Sequence, residues 1–467
     1  MEFAKNLTIV ILAAGKGKRM MSSTPKVLHN IIDKPMIYYV LKEAGKLNAD
    51  NIFVITGYEH KILEDYLADN FPGVIPVYQE NQLGTGHAVS LLKSCADEKW
   101  QSILILTGDC PLIKSETLSA LVTSQQEGNY AACLITALLD NPFGYGRVIK
   151  NRLGEIIRII EEPDAAPDEK LIKEINTSIY CFDAGALFDN ISSINPDNHQ
   201  KEYYLTDIIE KFSEKNLKSS AVLVPDNNEI LGINDRVQLS AAEKIMQKRI
   251  NENFMASGVT ITDPGSAFIG TDVYIENDAI IEPFSFIKGK TIIRKGCIIG
   301  PFAQIFDCEI DTGTIINSAV IKNAKIGKNN NIGPYSYIRP GTITNENVKV
   351  GGFCEIKKSI IGSNSKIPHL SYIGDTEMGS NINIGASSVT CNYDGYRKNK
   401  TVIGDNVFIG SDTMLVPPVE IGKGAIVAAG SVITENVPEN AMALARNKQV
   451  NIEDGAVKYR KKKESLK

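Results

Sequence analysis

The sequence predicts a doubly wound α/β domain, one long helix, and then a solenoid of very short strands. Three observations carry this. Isoleucine stands at every sixth position from Ile269 to Ile299, and the spacing returns at Ile326, Ile332 and Ile338 and again from Ile403 to Ile433. Neither a helix nor a flat strand has that period; a β-solenoid with one hexad per face and three faces per coil does. Before residue 235 the runs LTIVILA, NIFVITG and SILILTGD alternate with helical stretches, PMIYYVLKEAGKLNA, residues 61–67 and HAVSLLKSCA. Such alternation predicts a mostly parallel sheet with helices on both faces. Between the two patterns lies DRVQLSAAEKIMQKRINENFMAS, with Val237, Ala241, Ile245 and Ile250 as its apolar stripe and Gly258 placed to end it.

These elements divide the chain into a first domain at 1–234, a linker helix at 235–257, a solenoid at 258–446 and a basic tail at 447–467. A length of 467 residues fits more than one core. Glycines that follow aliphatic positions, such as Gly300, Gly333, Gly404 and Gly410, mark tight corners in roughly ten coils. The six-residue register breaks near residues 307–311, 345–347 and 392–400. Insertions in solenoids form loops on one face, and NYDGYRKNK, being polar, aromatic and basic, is expected to cover a ligand.

Bulk properties exclude several functions. A net charge of -5 argues against a dedicated nucleic-acid binder. The eight cysteines form no CxxC pair and the histidines do not cluster, which favours a reducing cytoplasm and no structural zinc. The apolar run at 7–14 is too short for a signal peptide and lacks a preceding basic stretch. No run is long enough to span a membrane. The closing KYRKKKESLK is a solvated basic segment.

The first chemistry-bearing segment is LAAGKGKRM, directly after the first strand. It matches neither the Walker A pattern nor the full dinucleotide fingerprint. It does place a Gly-x-Gly turn beside Lys16, Lys18 and Arg19, and bare N–H groups with three cations cradle a polyphosphate. Taken alone, it equally fits a glycine-rich turn with exposed lysines. Downstream, PKVLH places Lys26 after a rigid turn, GTGHA opens a helix with small residues, and TGDCPL ends a strand at Asp109 with a hard oxygen suited to Mg²⁺. An isolated Asp after a strand is more commonly a helix cap.

In this order the segments resemble the sugar-1-phosphate nucleotidyltransferases across residues 5–240, through LAAGKGKRM, the PK pair, QENQLGTGHA, TGDCPL, GYGRV, IIEEPDA, EINTSIY and LGINDR. QL before GTGHA is similar to the uridylyl-transferring members. The resemblance implies that Leu12, Ala13, Ala14 and Gly15 line the nucleotide, with Thr107 and Gly108 beside it. Arg19 and Lys26 neutralise phosphates, and Gln79, Gly84 and Thr85 read the uracil edge. Asp109 and Asn234 hold Mg²⁺, while Gly146, Glu161 and Asn176 bind the sugar. Thr107 departs from the tyrosine common before this Gly-Asp, which touches one sugar or ribose contact and not the chemistry.

His369 is the single histidine within the hexad zone, in KIPHLSYIGD. A lone histidine there is by default a surface or corner residue. Nearby stand Glu355, Lys357 and Lys358, Arg339 about one coil earlier, and then Tyr372, Asn383 and the Asn392–Tyr393 loop. One base beside several cations and amides suits a phosphorylated amine. This half resembles the hexapeptide-repeat acyltransferases, which implies a left-handed parallel β-helix, homotrimers and acetyl-CoA. YIRPG, GGFCEIKKS, PHLSYIGD, NINIGASSVTCNYDG, FIGSDT and IVAAGSV narrow it to a bacterial bifunctional family. That family joins N-acetylglucosamine-1-phosphate uridylyltransferase to glucosamine-1-phosphate acetyltransferase, supplying UDP-N-acetylglucosamine for peptidoglycan and lipopolysaccharide.

The resemblance makes His369 the general base, with Glu355 expected to orient it. Arg339, Lys357 and Lys398 bind the sugar phosphate, and Tyr372 and Asn383 the sugar. Ala386, Ser411, Ala429 and Arg446 contact acetyl-CoA, while Asn392 and Tyr393 close the site. Pro368 stands where glycine is expected, so the local backbone is expected to shift slightly. Two other readings fit parts of the chain. One is a single-activity nucleotidyltransferase with a solenoid that only oligomerises or regulates; His369, Lys357 and the NYDG loop argue against it. The other is a non-catalytic scaffold, which has no need of Lys26, Asp109 and Asn234.

Overall fold

The computed structural model describes residues 6–466 and divides into two units, Met1–Gln247 and Lys248–Lys467. In the first, seven strands lie in the order Ser219–Leu223, Ala132–Leu138, Glu174–Asp183, Ser102–Thr107, Leu7–Leu12, Asn51–Thr56, Ile75–Tyr78. All run parallel except Glu174–Asp183, which pairs antiparallel with both neighbours and carries the hairpin Gly146–Lys150/Ile156–Ile160. Near-continuous apolar runs such as Leu7–Ile11 and Ile103–Leu106 are buried because helices cover both faces of a parallel sheet. Two apolar clusters, one on each side of the sheet, result. The carboxyl ends of four adjacent parallel strands, at Leu12, Thr56, Tyr78 and Thr107, open the loops that carry the first candidate site, as expected for an open α/β sheet.

The helix Arg236–Ala256 is capped by Asp235, whose Oδ1 accepts from Gln238 N at 2.9 Å. At its other end Gly258 adopts φ +94°, a left-handed stop. Its buried face keeps only part of the expected stripe: Ile250 packs against the solenoid core, but the first half of the helix differs. Val237 is 79% exposed, and Leu239, Ala242 and Met246 are buried instead. In that half of the helix two apolar rows are available and packing selects the second.

In the second unit three parallel sheets of 11, 10 and 9 strands form the three faces of a β-solenoid. Every hexad isoleucine points inward, and Ile269, Ile281, Ile299, Ile332 and Ile409 are fully buried. The expected break at 345–347 is not one: Ile338, Thr344 and Val350 keep the spacing. Thr344 simply replaces an aliphatic residue and accepts from Asn330 Nδ2 at 2.6 Å. At the first break the inward positions Ile305 and Ile310 are five apart, and the long insertion at 392–400 protrudes with Tyr396 97% exposed. Among the described residues no helix is long and apolar enough to cross a membrane.

Corner glycines have a coil-stacking cause more than a torsional one. A Cβ on Gly404 or Gly410 would lie 2.7 or 2.4 Å from backbone nitrogen of the next coil. Gly333 meets both constraints, with φ +111° and a Cβ 1.9 Å from the Asn317 carbonyl. Gly333→Ala is therefore expected to lower stability by about 3 kcal/mol, read as a drop in thermal midpoint; an unchanged midpoint would contradict the corner geometry.

Candidate active sites

Lys26 is where the first site converges. Its Nζ contacts the Asp109 carboxylate and donates to Asn234 Oδ1 at 3.1 Å. The three residues come from positions far apart in sequence, and the fold brings them together. Ile233 N donates to the Asp109 carbonyl at 3.0 Å, which ties the segment before Asn234 to the end of the central strand. Lys26 and Asp109 are mostly buried, with 14% and 20% of their side chains exposed, so this ion pair is weakly screened. One carboxylate and one amide oxygen already face a single positive charge, a donor set that suits a hard divalent cation sharing its shell with substrate phosphates. Among the described residues no cluster of three acidic, His or Cys ligands exists.

The glycine-rich loop surrounds this cluster. Gly17 has φ +61° and sits against the Lys26 stem; a Cβ there would be 2.7 Å from Lys26 Cβ. Arg19 is exposed on the turn Lys18–Met20, and Lys16 lies over the Tyr58 ring at 5.1 Å. Gly108 N donates to the Leu12 carbonyl at 2.9 Å, and Ala13 N to the Ile55 carbonyl at 3.0 Å, which knits Leu12, Ala13 and Gly108 into one floor. Gly15 is exposed at the loop tip and Ala14 O accepts from Tyr58 N at 3.1 Å. The Thr107 hydroxyl donates to Cys110 Sγ at 3.1 Å, so the departure at this position is satisfied internally. Burial pushes the Cys110 thiol up to about 12 and makes it inert.

A cavity of about 390 Å³ brings together Leu12, Thr85 and Glu161 of the expected residues, while Gln79, Gly84, Gly146 and Asn176 are not part of its lining. Leu12, Thr85, Glu161, Ser178, Tyr204 and Thr206 line it, so predicted nucleotide and sugar groups share one wall. Thr85 Oγ1 accepts from Leu205 N at 3.1 Å and Thr206 Oγ1 donates to Glu161 Oε1 at 3.2 Å. Gly146 packs close to the end of the strand before Glu161, where an added Cβ would lie 3.2 Å from Ile159 Cγ2 and 3.4 Å from Glu161 Oε2. Burial, with Asp207 and Asp164 nearby, holds the Glu161 carboxyl above its ordinary range. Burial followed by Glu210 and Asp164 lifts Asp207 to about 6. Asn176 is buried and donates to the Tyr180 hydroxyl at 2.7 Å. Sequence reasoning passed over Tyr204 and Thr206; YYLTD was there to read, but its residues carry no distinctive chemistry until the fold turns them into the cavity.

The solenoid orders the second site by coil. Arg339 precedes Lys357 by one coil, and Lys357 lies opposite Gly374, which has no side chain to cover it. Lys357 Nζ is 3.4 Å from the Asp375 carboxylate, which also accepts from Asn392 Nδ2. Asn392 Nδ2 is 3.4 Å from the Tyr372 hydroxyl. The neighbouring Lys357 ammonium lowers Lys398, with Arg339 adding to it. Asp375 and Glu355 offset two of these three charges, and the Lys398 ammonium beside them is the one a phosphate group would pair with. Glu355 differs from expectation: it pairs with Arg339 at 2.7 Å rather than with the imidazole, because stacking sets it opposite Tyr337, two residues from Arg339 on the same face. Tyr393 bridges Lys398 across the base of the protruding loop.

His369 is exposed at a corner, just before Leu370 at φ +51°. The strand Lys366–His369 keeps its register with Lys349–Gly352, so Pro368 does not displace it. From His369 one corner column runs along the axis. Ser387 N donates to the His369 carbonyl at 3.4 Å, Asp412 N to Ala386 at 2.7 Å and Gly430 N to Ser411 at 2.8 Å. Arg446 Nη1 ends the column on the Ala429 carbonyl at 2.6 Å. Asn383 lies one coil after Lys366 on the adjoining face. Ala386, Ser411 and Ala429 in this column all carry small side chains. Cys391 beside the loop is raised by burial.

Known proteins share both halves. The family model for nucleotidyl transferases matches residues 8–229, that for the bacterial transferase hexapeptide (six repeats) matches 400–435, and that for the GMPPB C-terminal domain matches 269–353. The class is therefore a nucleotidyltransferase fold joined to a left-handed hexapeptide-repeat β-helix. Among curated relatives, bifunctional protein GlmU of Clostridium novyi is 46% identical over 97% of this chain and 99% of its own length. That of Carboxydothermus hydrogenoformans is 45% identical over 95% and 99%, and that of Brevibacillus brevis 43% over 97% and 98%. The chain belongs to the GlmU family and is a bifunctional transferase of UDP-N-acetylglucosamine synthesis.

Proposed function

We propose that the Lys26–Asp109–Asn234 cluster transfers UMP from UTP to N-acetylglucosamine-1-phosphate, and that His369 acetylates the amine of glucosamine-1-phosphate from acetyl-CoA. The observation that carries the first assignment is Lys26 held between Asp109 and Asn234 at the mouth of the parallel sheet. Asp109 and Asn234 would hold Mg²⁺, which supplies positive charge to the triphosphate when bound. Lys26 and Arg19 then face the phosphates, the loop amides of residues 13–17 meet their oxygens, and the sugar phosphate lies in the Glu161 cavity in line with the α-phosphorus. Pyrophosphate departs on the side away from the sugar.

At the second site Arg339, Lys357 and Lys398 anchor the sugar phosphate. Tyr372 and Asn383 hold the ring, and His369 takes a proton from the amine as it attacks the thioester. Acetyl-CoA lies along the Ala386–Ser411–Ala429 column toward Arg446. Asn392 and Tyr393 close the site. A homotrimer would cover part of the apolar surface the solenoid exposes, including the aromatic residues Phe284, Phe302, Tyr335 and Phe353. A cytoplasmic location fits these soluble substrates.

The experiment is a coupled reaction of the full chain with glucosamine-1-phosphate, acetyl-CoA and UTP, its products identified by mass. Mg²⁺ is expected to give UDP-N-acetylglucosamine; with EDTA the reaction is expected to stop at N-acetylglucosamine-1-phosphate. UDP-N-acetylglucosamine formed in EDTA would contradict the metal assignment.

A further inference from the structure

Gln79 follows the strand Ile75–Tyr78, its N–H donating to the Thr56 carbonyl at 2.8 Å. Its side chain is 3% exposed, and both hydrogens of its amide are committed. Nε2 lies 3.2 Å from the Gly84 carbonyl and 2.9 Å from His87 Nδ1. The Gly84 carbonyl can only accept, which fixes which end of the amide faces it. An amide nitrogen has two hydrogens to give and an amide oxygen has none. With both given away, what Gln79 retains for a ligand is an acceptor. Uracil presents N3–H between two carbonyls, whereas cytosine presents a bare N3 beside its amino group. An acceptor-only Gln79 suits the first and meets the lone pair of the second.

His87 holds the same orientation from the other side of the amide nitrogen. Its Nδ1 acts as the acceptor, so its ring hydrogen belongs on Nε2. An Nδ1–H would face the Gln79 nitrogen donor to donor and work against the orientation that the Gly84 carbonyl favours. The geometry is held from behind: His87 sits in the helix Thr85–Ser90, which starts at Gly84 with φ +112° and a Cβ position 2.6 Å from the Tyr203 carbonyl. Gly86 N also donates to that carbonyl at 2.7 Å. We infer that His87 is a positioning residue that sets the pyrimidine preference of the uridylyl site by holding Gln79 as an acceptor. This rests on the reading of Gln79 as the group facing the uracil edge.

The test measures kcat/KM for UTP, CTP and 5-methyl-UTP on the full-length wild type and on H87L, H87N and Q79L. The ratio of two nucleotides on one sample is independent of the folded fraction. H87L is expected to lower the UTP:CTP preference about 10- to 100-fold while leaving UTP:5-methyl-UTP unchanged, since thymine-type bases keep the N3–H. H87N is expected to restore most of the preference, because its Oδ1 stands in for Nδ1. If Q79L erodes the preference and H87L does not, the His87 role is overturned and the uridine site stands. If Q79L also leaves the preference unchanged, the uracil-edge reading fails and takes the inference with it. Independently of any variant, ¹⁵N shifts of His87 in the wild type are expected to show hydrogen on Nε2; an Nδ1–H tautomer would overturn the proposal.

Discussion

Asp109→Ala is expected to abolish uridylyl transfer, by on the order of 10³-fold or more, while the protein stays folded and acetyl transfer continues. The variant removes the charged half of a two-oxygen set and leaves the Lys26 ammonium with Asn234 alone. Triphosphate charge then develops against one cation fewer, and Lys26 loses the partner that fixes its position. Because Asp109 follows the strand end rather than the core, the sheet that supports it keeps its apolar packing. Rates of uridylyl transfer with saturating Mg²⁺, beside a thermal melt, check the expectation. Full Mg²⁺-dependent activity would remove Asp109 from the chemistry.

His369→Ala is expected to cost acetyl transfer about 10²- to 10⁴-fold, the usual contribution of a positioned general base, and to leave uridylyl transfer unchanged. The side chain is exposed at a corner, and it is the backbone carbonyl that accepts from Ser371 Oγ within the corner and from Ser387 N of the next coil. Truncating the ring therefore removes no structural contact of the corner. Acetyl transfer followed by thiol release checks it. Equal loss of both activities would mean that the two sites depend on one another.

Much of this was legible in the sequence because each feature has a strong physical cause. An inward isoleucine every six residues has no alternative explanation in helix or strand geometry, and every such residue is buried. The Lys26–Asp109–Asn234 grouping was legible only through resemblance, since spacing alone does not bring residues 26, 109 and 234 together; the crossover topology does. What misled were positions where polarity and geometry diverge. Thr344 interrupted the aliphatic pattern and looked like a break, yet it points inward and meets Asn330. Val237 and Ala241 have the right spacing for a buried stripe, but Leu239, Ala242 and Met246 have it too, and packing chose them. Glu355 was read as a partner for His369; in a solenoid the nearest neighbours lie one coil away, and that neighbour is Arg339. The Gln79–His87 pairing was invisible for a related reason. GTGHA shows that a helix begins there, but not which way an amide turns.

The central claim is that two separate sites on one chain perform successive steps, and complementation tests it most directly. Purified Asp109→Ala and His369→Ala proteins would each be incubated with glucosamine-1-phosphate, acetyl-CoA, UTP and Mg²⁺, first singly and then mixed. Each alone is expected to yield almost no UDP-N-acetylglucosamine, with Asp109→Ala accumulating N-acetylglucosamine-1-phosphate, and the mixture is expected to form the nucleotide sugar readily. A mixture as inactive as its components would contradict the account.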